Sequence, residues 1–450
     1  MTARTPGALA SPVLLMAAAL LTVAPGAAPA ADAGAGGAEP TVEALCRSLY
    51  PASWRPIEGQ HLAPVPESPR PAKGVAVTDP VHRTCVLRVT DHVAEASLGA
   101  KGFLRNDYSR RQAFNANNTR LIAIASDGHW HLYDASTLRH LRQMPHLAGD
   151  AEPQWHPTDP DKLYFVPNNG VGMALLELDV VSGQERTVAN FASRLRAKWP
   201  QANTAWTKSE GSPSADGRYW CFMVDDAKWQ GVGLFTWDRD TDSILGMRDL
   251  NGVRPDHVSM SPGGSHCVVS GTGSQGTVAW TRDFASSRRL HNASEHSDLA
   301  LNTKGEDVYV AIDYQSSGGA VFMVNLQTGE RTDLFRTYLN GTATALHISG
   351  KAFNKPGWVL VSTYADYAAR GNAGQQWPHR KLFAMSLDAK PRFVNLAHHH
   401  SVFAKYWTEP QASVNRDFTR VVFNSNWGVK SETDVDMYLV ALPPNLLSAR

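Results

Sequence analysis

The stretch HVSMSPGGSHCVV, residues 257–269, joins a polar opening residue to a Ser-Pro-Gly-Gly turn and an apolar run. Related stretches recur at intervals of roughly 40–50 residues, and each predicts short strands around a tight turn. The others are QAFNANNTRLIAI (112–124), EPQWHPTDPDKLYF (152–165), EGSPSADGRYWCF (210–222), HSDLALNTKGEDVYV (296–310), HISGKAFNKPGWVLV (347–361) and EPQASVNRDFTRVVF (409–423). A strand-rich repeat of this period is typical of the blades of a β-propeller.

The seven repeats between Gln112 and Leu442 predict an all-β, seven-bladed propeller, with six or eight blades as alternatives. One further strand is predicted at 83–90, RTCVLRVT, where apolar and polar residues alternate. We expect this strand to lie beside Asp434–Leu442 and to close the last blade, because pairing the chain ends protects sheet edges that would otherwise be exposed.

The chain before the repeats predicts export. An apolar core at 13–23 and the Ala28-Pro-Ala30 site indicate a cleaved signal peptide over residues 1–30, with an uncleaved anchor as the alternative. Residues 31–80 are Gly/Ala-rich and then Pro-rich, which predicts a spacer and connector, and the propeller is expected over 81–450. The predicted location is the periplasm or the exterior.

Composition excludes two classes of partner. The formal net charge is +1 with 19% charged residues, and no basic stripe suggests nucleic-acid binding. No segment after the signal peptide is apolar over the roughly 20 residues that a membrane helix needs, so the mature chain is predicted to have no membrane span.

Four cysteines are spread along the sequence. Cys46 and Cys85 both precede the repeats and are expected to form a disulfide. Cys221 and Cys267 occupy adjacent repeats but fall one register apart, counted from their turns. They should therefore face opposite sides of their strands, and we expect two buried thiols.

The residue that opens each repeat is expected to lie near the central channel, because it precedes the innermost strand. These positions are charged or carry imidazole almost without exception: Arg111 or Gln112, Glu152, Glu210, His257, His296 or Asp298, His347, and Glu409 or Gln411. One interpretation is a solvated channel mouth whose residues cap turns. The other is a site for a metal or an anionic ligand, since imidazole is a common ligand of transition metals.

Histidine supports the second interpretation. His296 and His347 open consecutive repeats, and His398 and His400 follow at the next comparable interval, so these four are candidate metal ligands. Long loops between strands carry aromatic residues whose rings can stack on sugars. The candidate substrate-binding residues are Trp229, Tyr364, Trp377 and Trp427.

The repeats, with PSADGRYWCF and VSMSPGGSHCVV as examples, resemble those of TolB-type propellers, and their combination with channel histidines resembles oligogalacturonate lyases. That resemblance implies a seven-bladed propeller that cleaves uronate oligosaccharides by β-elimination, using a histidine base and manganese held by histidines and a glutamine. Asn395 stands three residues before the His398–His400 pair, where that family has glutamine. The resemblance covers roughly the repeat region.

In this hypothesis His296, His347, His398 and His400 hold a divalent transition metal, manganese or zinc, and His257 is the base. Arg370 or Tyr314 would bind the sugar or complete proton transfer. The predicted function is a lyase acting on an acidic oligosaccharide. The alternative is a non-catalytic propeller that binds a protein or glycan partner, and a hydrolase using Glu152 and Glu210 is a third possibility.

Overall fold

Short antiparallel strands make up most of the computed structural model, which describes residues 39–271, 276–368 and 374–447. The α-helices in these ranges are short: α1 (Val42–Arg47), α2 (His92–Glu95) and α3 (Ala192–Lys198). The all-β prediction is therefore confirmed. Among the described helices, none has the length and apolar character needed to cross a lipid bilayer. The predicted signal peptide, residues 1–30, lies outside the described residues.

The strands of the described ranges are, in chain order, β1 (Ile57–Glu58), β2 (Ala76–Thr78), β3 (Cys85–Arg88), β4 (Phe103–Arg105), β5 (Arg120–Ala125), β6 (Trp130–Asp134), β7 (His140–Met144), β8 (Gln154–Trp155), β9 (Lys162–Phe165), β10 (Ala174–Asp179), β11 (Glu185–Asn190), β12 (Ala202–Trp206), β13 (Tyr219–Asp226), β14 (Gly231–Asp238), β15 (Ser243–Gly252), β16 (His257–Met260), β17 (His266–Ser270), β18 (Thr277–Thr281), β19 (Ser287–His291), β20 (Ser297–Leu301), β21 (Asp307–Asp313), β22 (Ala320–Asn325), β23 (Arg331–Arg336), β24 (Thr342–Ser349), β25 (Trp358–Ala368), β26 (Lys381–Ser386), β27 (Phe393–His398), β28 (Ser413–Val414), β29 (Arg420–Ser425) and β30 (Val435–Ala441).

Most sheets are four-stranded antiparallel arrays built from consecutive strands. The arrays are β8–β11, β12–β15, β16–β19 and β20–β23, and a fifth consists of β24–β27 with β1 added beside β27. Each array follows chain order from its first strand to its last, which is the connectivity of a propeller blade. β1 belongs to the predicted connector, residues 31–80, so part of this connector adds a strand to the outer edge of a sheet.

The turn in the 257–269 stretch shows why each repeat begins with a hairpin. His257 pairs with Ser270 and Met260 with Cys267, so β16 and β17 form a hairpin around residues 261–265. The Gly264 amide donates to the Ser261 carbonyl at 2.8 Å. Gly264 has φ +72°, and a Cβ there would lie 2.4 Å from the Tyr219 ring. Glycine is therefore required by both the backbone and its neighbour.

The two ends of the chain meet in a nine-stranded sheet. Its order is β2-β3-β30-β4-β5-β6-β7, and β29 and β28 continue from β30. Cys85 of β3 pairs with Ala441 of β30, so the expected pairing of residues 83–90 with the C-terminal strand is present. β30 also runs parallel to β4. The blade count and the closure of the ring remain predictions.

Aromatic contacts join neighbouring arrays. Tyr164 of β9 and Trp220 of β13 meet with ring centroids 5.7 Å apart. Phe335 of β23 and Phe383 of β26 lie 5.8 Å apart. Burial of such side chains between sheets makes each array depend on its neighbours, as in other repeat architectures.

Both cysteine pairs form disulfides. Cys46–Cys85 ties α1 to β3 and confirms the predicted bridge. Cys221 and Cys267, expected as buried thiols, are also bonded to each other. The expectation was wrong because it assumed that opposite side-chain directions on equivalent strands would keep the two cysteines apart. β13 and β17 belong to adjacent arrays. Side chains on opposite faces of equivalent strands can point toward each other across the space between two stacked sheets.

We expect the purified chain, denatured without reductant, to show no free thiol in a thiol titration. Replacing both Cys221 and Cys267 by serine should lower the free energy of unfolding by about 2–4 kcal/mol, because the cross-link restricts the unfolded chain. Denaturant titration measures this loss, with the Cys46→Ser/Cys85→Ser pair as a comparison. About two reactive thiols in the unmodified chain would contradict the assignment.

Candidate functional site

The candidate site begins in the segment between β4 and β5, which crosses the hub where the first strands of several arrays meet. The Arg110 guanidinium bonds to Glu210 Oε2, and its Nη1 lies 2.6 Å from His257 Nε2. Its Nη2 donates to Ser297 Oγ at 3.2 Å. Arg110 thus links three consecutive arrays, since Glu210 follows β12, His257 begins β16 and Ser297 begins β20.

Arg111 makes a second set of cross-connections. Its Nη1 donates to the Pro153 carbonyl at 2.9 Å and its Nη2 to the Ser209 carbonyl at 2.6 Å. Its Nε bonds to Asp107 within the same segment. Charge-assisted bonds to loop carbonyls hold the openings of two arrays in place. Because Arg111 is the next residue in the chain, its bonds also hold the backbone of Arg110, and the Arg110 charge stays at a defined position in the hub.

A ring cluster adjoins the Arg110 network. The His296 and His347 ring centroids lie 4.6 Å apart, and His347 stacks on Tyr364 at 4.8 Å. Tyr108 packs edge-on against His347 at 5.4 Å. His347 Nε2 lies 3.3 Å from Glu409 Oε2. Two of the histidines predicted to converge therefore do so.

Burial controls the charge state of this cluster. It lowers the pKa of His296 to about 4, with a further contribution from Arg110. It also holds the pKa of His347 well below its ordinary value. Burial raises the pKa of Glu409 to about 7. For Glu210 burial raises the pKa, but the Arg110 charge outweighs it and the pKa lies below its ordinary value. Neutral imidazoles are the form that binds metal.

Several buried polar atoms in the cluster lack hydrogen-bond partners among the described residues. They are His296 Nδ1, both ring nitrogens of His347 and Glu409 Oε2. His347 Nε2 and Glu409 Oε2 are 3.3 Å apart but do not form a hydrogen bond. Such atoms normally find partners, because an unsatisfied buried polar group costs about 1–3 kcal/mol. Two imidazoles and a carboxylate are a donor set that suits a divalent transition metal. The cluster therefore offers ligand types that suit a metal, but among the described residues His296, His347 and Glu409 do not form a group whose ligand atoms all lie within 4.8 Å of one another.

The four predicted metal ligands do not lie in one group. Within the described ranges, the groups of three or more potential ligands do not combine His296 or His347 with His398 or His400. His398 instead lies beside Asp79 and His82, and His400 packs on Trp427 with ring centroids 4.5 Å apart. The prediction of a single four-histidine site is corrected to two separate histidine clusters.

Among the predicted substrate-binding aromatics, Tyr364 lies in the cluster. Trp377 is instead buried against Phe335, Phe383 and Phe393, as a packing residue. Trp427 is also buried, and its indole N–H donates to the Ser68 carbonyl at 3.0 Å.

The remaining predicted site residues lie away from the ring cluster or outside the described residues. Trp229 is 37% exposed and packs on Trp206 with ring centroids 5.4 Å apart. Tyr314 packs at the edge of a hydrophobic cluster, and its carbonyl accepts the Tyr338 hydroxyl at 2.8 Å. Arg370 lies outside the described residues. The contacts of Trp229 and Tyr314 are therefore packing contacts outside the ring cluster.

Sequence reasoning missed an aromatic surface beside the cluster. Phe403, Tyr406 and Trp407 are 42%, 46% and 39% exposed. Phe403 contacts Tyr364 with ring centroids 5.7 Å apart, and Arg105 lies over Trp407 at 4.6 Å. We call these three residues the aromatic rim. They follow the triple histidine in the sequence and carry no repeat signal, but an exposed Tyr-Trp pair in a loop is the type of residue that binds sugars.

The comparison with solved structures gives neighbours of the same fold. An oligogalacturonate lyase in complex with manganese is 14% identical, with a TM-score of 0.56 over 87% of this chain and 99% of that one. An oligogalacturonate lyase from Vibrio parahaemolyticus is also 14% identical, with a TM-score of 0.56 over 83% and 99%. TolB from Acinetobacter baumannii is 16% identical over 59% of each chain, with a TM-score of 0.33.

The predicted resemblance is therefore found among structures, and the chain has a β-propeller fold like that of the lyases. No protein-family model matches the sequence, and no curated protein matches it significantly. At this level of identity the likeness concerns the fold, so activity has to be argued from the site.

We expect Arg110→Met to lower the free energy of unfolding by roughly 2–4 kcal/mol, because it leaves Glu210 and the Ser297 carbonyl without their partner. Adding Glu210→Gln should cost less than the sum of the two single changes. A double-mutant cycle in denaturant measures this coupling. The control is Arg194→Met at the exposed Arg194–Asp242 pair, where the loss should stay below about 1 kcal/mol. Additive losses at Arg110 and Glu210 would contradict the coupling.

Proposed function

We propose that the protein is an exported, seven-bladed β-propeller that cleaves uronate-containing oligosaccharides by metal-dependent β-elimination. The observation that carries the proposal is the approach of His296 and His347, with unpartnered buried donor atoms, beside the Arg110 network. Two disulfides are typical of exported proteins and agree with the predicted signal peptide.

In the proposal, His296, His347 and Glu409 hold a divalent cation, manganese or zinc. These side chains combine imidazole nitrogens with a carboxylate, and Glu409 carries a pKa raised to about 7 by burial, so a nearby cation would favour its ionised form. Bound there, the metal would supply positive charge to neutralise a uronate carboxylate as the neighbouring carbon loses its proton. His398 and His400 are not part of this centre.

Arg110 and His257 supply the rest of the chemistry. Arginine can only donate, so the 2.6 Å contact makes His257 Nε2 the acceptor and occupies its lone pair. A uronate carboxylate that bonds to Arg110 would release His257 Nε2. The free Nε2 can then take the proton next to the carboxylate as the carbon–oxygen bond at the β position breaks, a double bond forms, and the leaving oxygen takes a proton from solvent.

The aromatic rim provides a place for the sugar rings. Phe403 and Trp407 are partly exposed to solvent, and the Phe403 ring lies 5.7 Å from that of Tyr364 in the ring cluster. Aromatic faces stack on the apolar faces of sugars, while charged groups select the carboxylates. The substrate class proposed is therefore an acidic oligosaccharide.

A second candidate is a non-catalytic propeller that binds a glycan or protein. The exposed rim favours it, because exposed aromatic residues mark binding surfaces in many proteins. The two proposals differ in whether His347 is needed for a chemical step. Binding by the rim alone would survive the loss of His347.

The first test measures ultraviolet absorbance of unsaturated uronate products after incubation with oligogalacturonate and manganese. His347→Ala and His296→Ala should each lower kcat/KM more than roughly 100-fold, because loss of the cation removes several kcal/mol of transition-state stabilisation. His131→Ala, at a buried histidine that contacts His140, is the control and should keep its activity. Intact sugar binding with no unsaturated product from any uronate tested would favour the binding protein.

The second test addresses the rim. Trp407→Ala should raise KM about tenfold with kcat little changed, because one lost stacking contact of about 1.4 kcal/mol affects substrate and transition state alike. Trp229→Ala changes an exposed tryptophan packed on Trp206 and serves as the comparison. An equal rise of KM in both variants would contradict a specific role for the rim.

A further inference from the structure

A second group of histidines lies around the turn that precedes β3. Asp79 Oδ1 accepts the amides of Val81 at 2.9 Å and His82 at 2.6 Å. This turn directs His82 into the interior. Asp79 Oδ2 accepts the amide of His398 at 2.9 Å, at the end of β27. One carboxylate thereby joins the chain before β3 to the outer strand of the β24–β27 array.

The side chains of Asp79, His82 and His398 converge in a buried place. Their potential ligand atoms all lie within 4.8 Å of one another. The two imidazole ring centroids are 4.7 Å apart, and His398 Nδ1 is 4.0 Å from Asp79 Oδ2. The three residues are 3%, 0% and 1% exposed. Zinc bonds to nitrogen and oxygen are about 2.0–2.2 Å long, so the 4.0 Å pair can share one ion.

Three ring nitrogens of this group lack partners. Both ring nitrogens of His82 and Nδ1 of His398 have no hydrogen-bond partner among the described residues. Each such buried atom costs about 1–3 kcal/mol unless something binds it.

Other groups of potential ligands are already balanced by cations of the chain. In the group of His92, Asp434 and Asp436, Arg70 and Arg88 pair with Asp436. In the group of Glu210, Asp256 and His257, Arg110 and Lys208 pair with the carboxylates. Asp79, in contrast, forms its observed hydrogen bonds with backbone amides.

Lys381 is a cation close to these rings, and its charge has partners of its own. Its Nζ donates to the His61 carbonyl at 2.6 Å and to Asn395 Oδ1 at 2.8 Å. Lys381 therefore does not occupy the place between the two imidazoles and Asp79.

We propose that Asp79, His82 and His398 bind one zinc ion that fastens the segment before β3 to the outer strand β27. Two imidazoles and one carboxylate suit zinc. The deep burial fits a structural ion. This site is separate from the proposed catalytic centre and does not depend on the lyase activity.

The test uses cobalt as a spectroscopic substitute for zinc in the full chain. Cobalt in a four-coordinate nitrogen and oxygen site gives visible absorption, which is expected in the unmodified protein and reduced by the contribution of this site in His82→Gln and His398→Gln. His131→Gln should keep the whole absorption, and His347→Gln should keep the part that His82→Gln removes. Elemental analysis of the zinc-loaded chain should show about one equivalent less zinc in the first two variants. Circular dichroism verifies that each variant is folded.

The thermal midpoint gives an independent readout. Chelation should lower the Tm of the unmodified chain by more than that of folded His82→Gln, because that variant has no ion at this second site to lose. Absorption lost only in His347→Gln would place the metal solely at the proposed catalytic centre and overturn the second site. Absence of cobalt and zinc uptake by the unmodified chain would also overturn it.

Discussion

The hydrogen bonds of Arg110 are the constraint on which the architecture of the hub depends. One guanidinium from the segment after β4 bonds to a carboxylate, an imidazole and a serine that belong to three consecutive arrays. Packing between neighbouring sheets does not by itself fix the positions of their first strands. A buried cation does, because every donor must find an acceptor at hydrogen-bonding distance.

The requirement that every buried charge be paired and hydrogen-bonded also explains why charged residues can occur at the start of the repeats. Lys351 and Asp298, both 3% exposed at their side chains, pair at 3.0 Å, and Asp298 also accepts the Gly350 amide at 2.7 Å. Buried charges are tolerated where they are paired and fully hydrogen-bonded. His296, His347 and Glu409 keep buried atoms without hydrogen-bond partners, as do the neighbouring Arg105 and Gln411. Unsatisfied groups inside a well-satisfied hub are where a ligand gains most by binding.

Local chemistry made much of the fold predictable. The Ser-Pro-Gly-Gly turn, the alternation in residues 83–90 and the polar residue at the start of each repeat all act within a few residues, and the structure has the corresponding hairpin, strand pairing and hub position. The Cys221–Cys267 bond was not predictable in the same way. It depends on which faces of adjacent sheets meet, and this is a property of packing between arrays rather than of one strand.

The separation of the histidines has a comparable cause. His257 and His347 lie in first strands, whereas His398 ends β27, the fourth strand of its array. These histidines are separated by similar intervals in the sequence. The first strand of an array borders the hub, however, and the fourth lies at the opposite edge of the sheet. There the N-terminal segment adds β1 and supplies Asp79 and His82. Position within the array, rather than interval in the sequence, therefore decides which histidines share a site, and the second cluster exists because the N-terminal segment covers that edge.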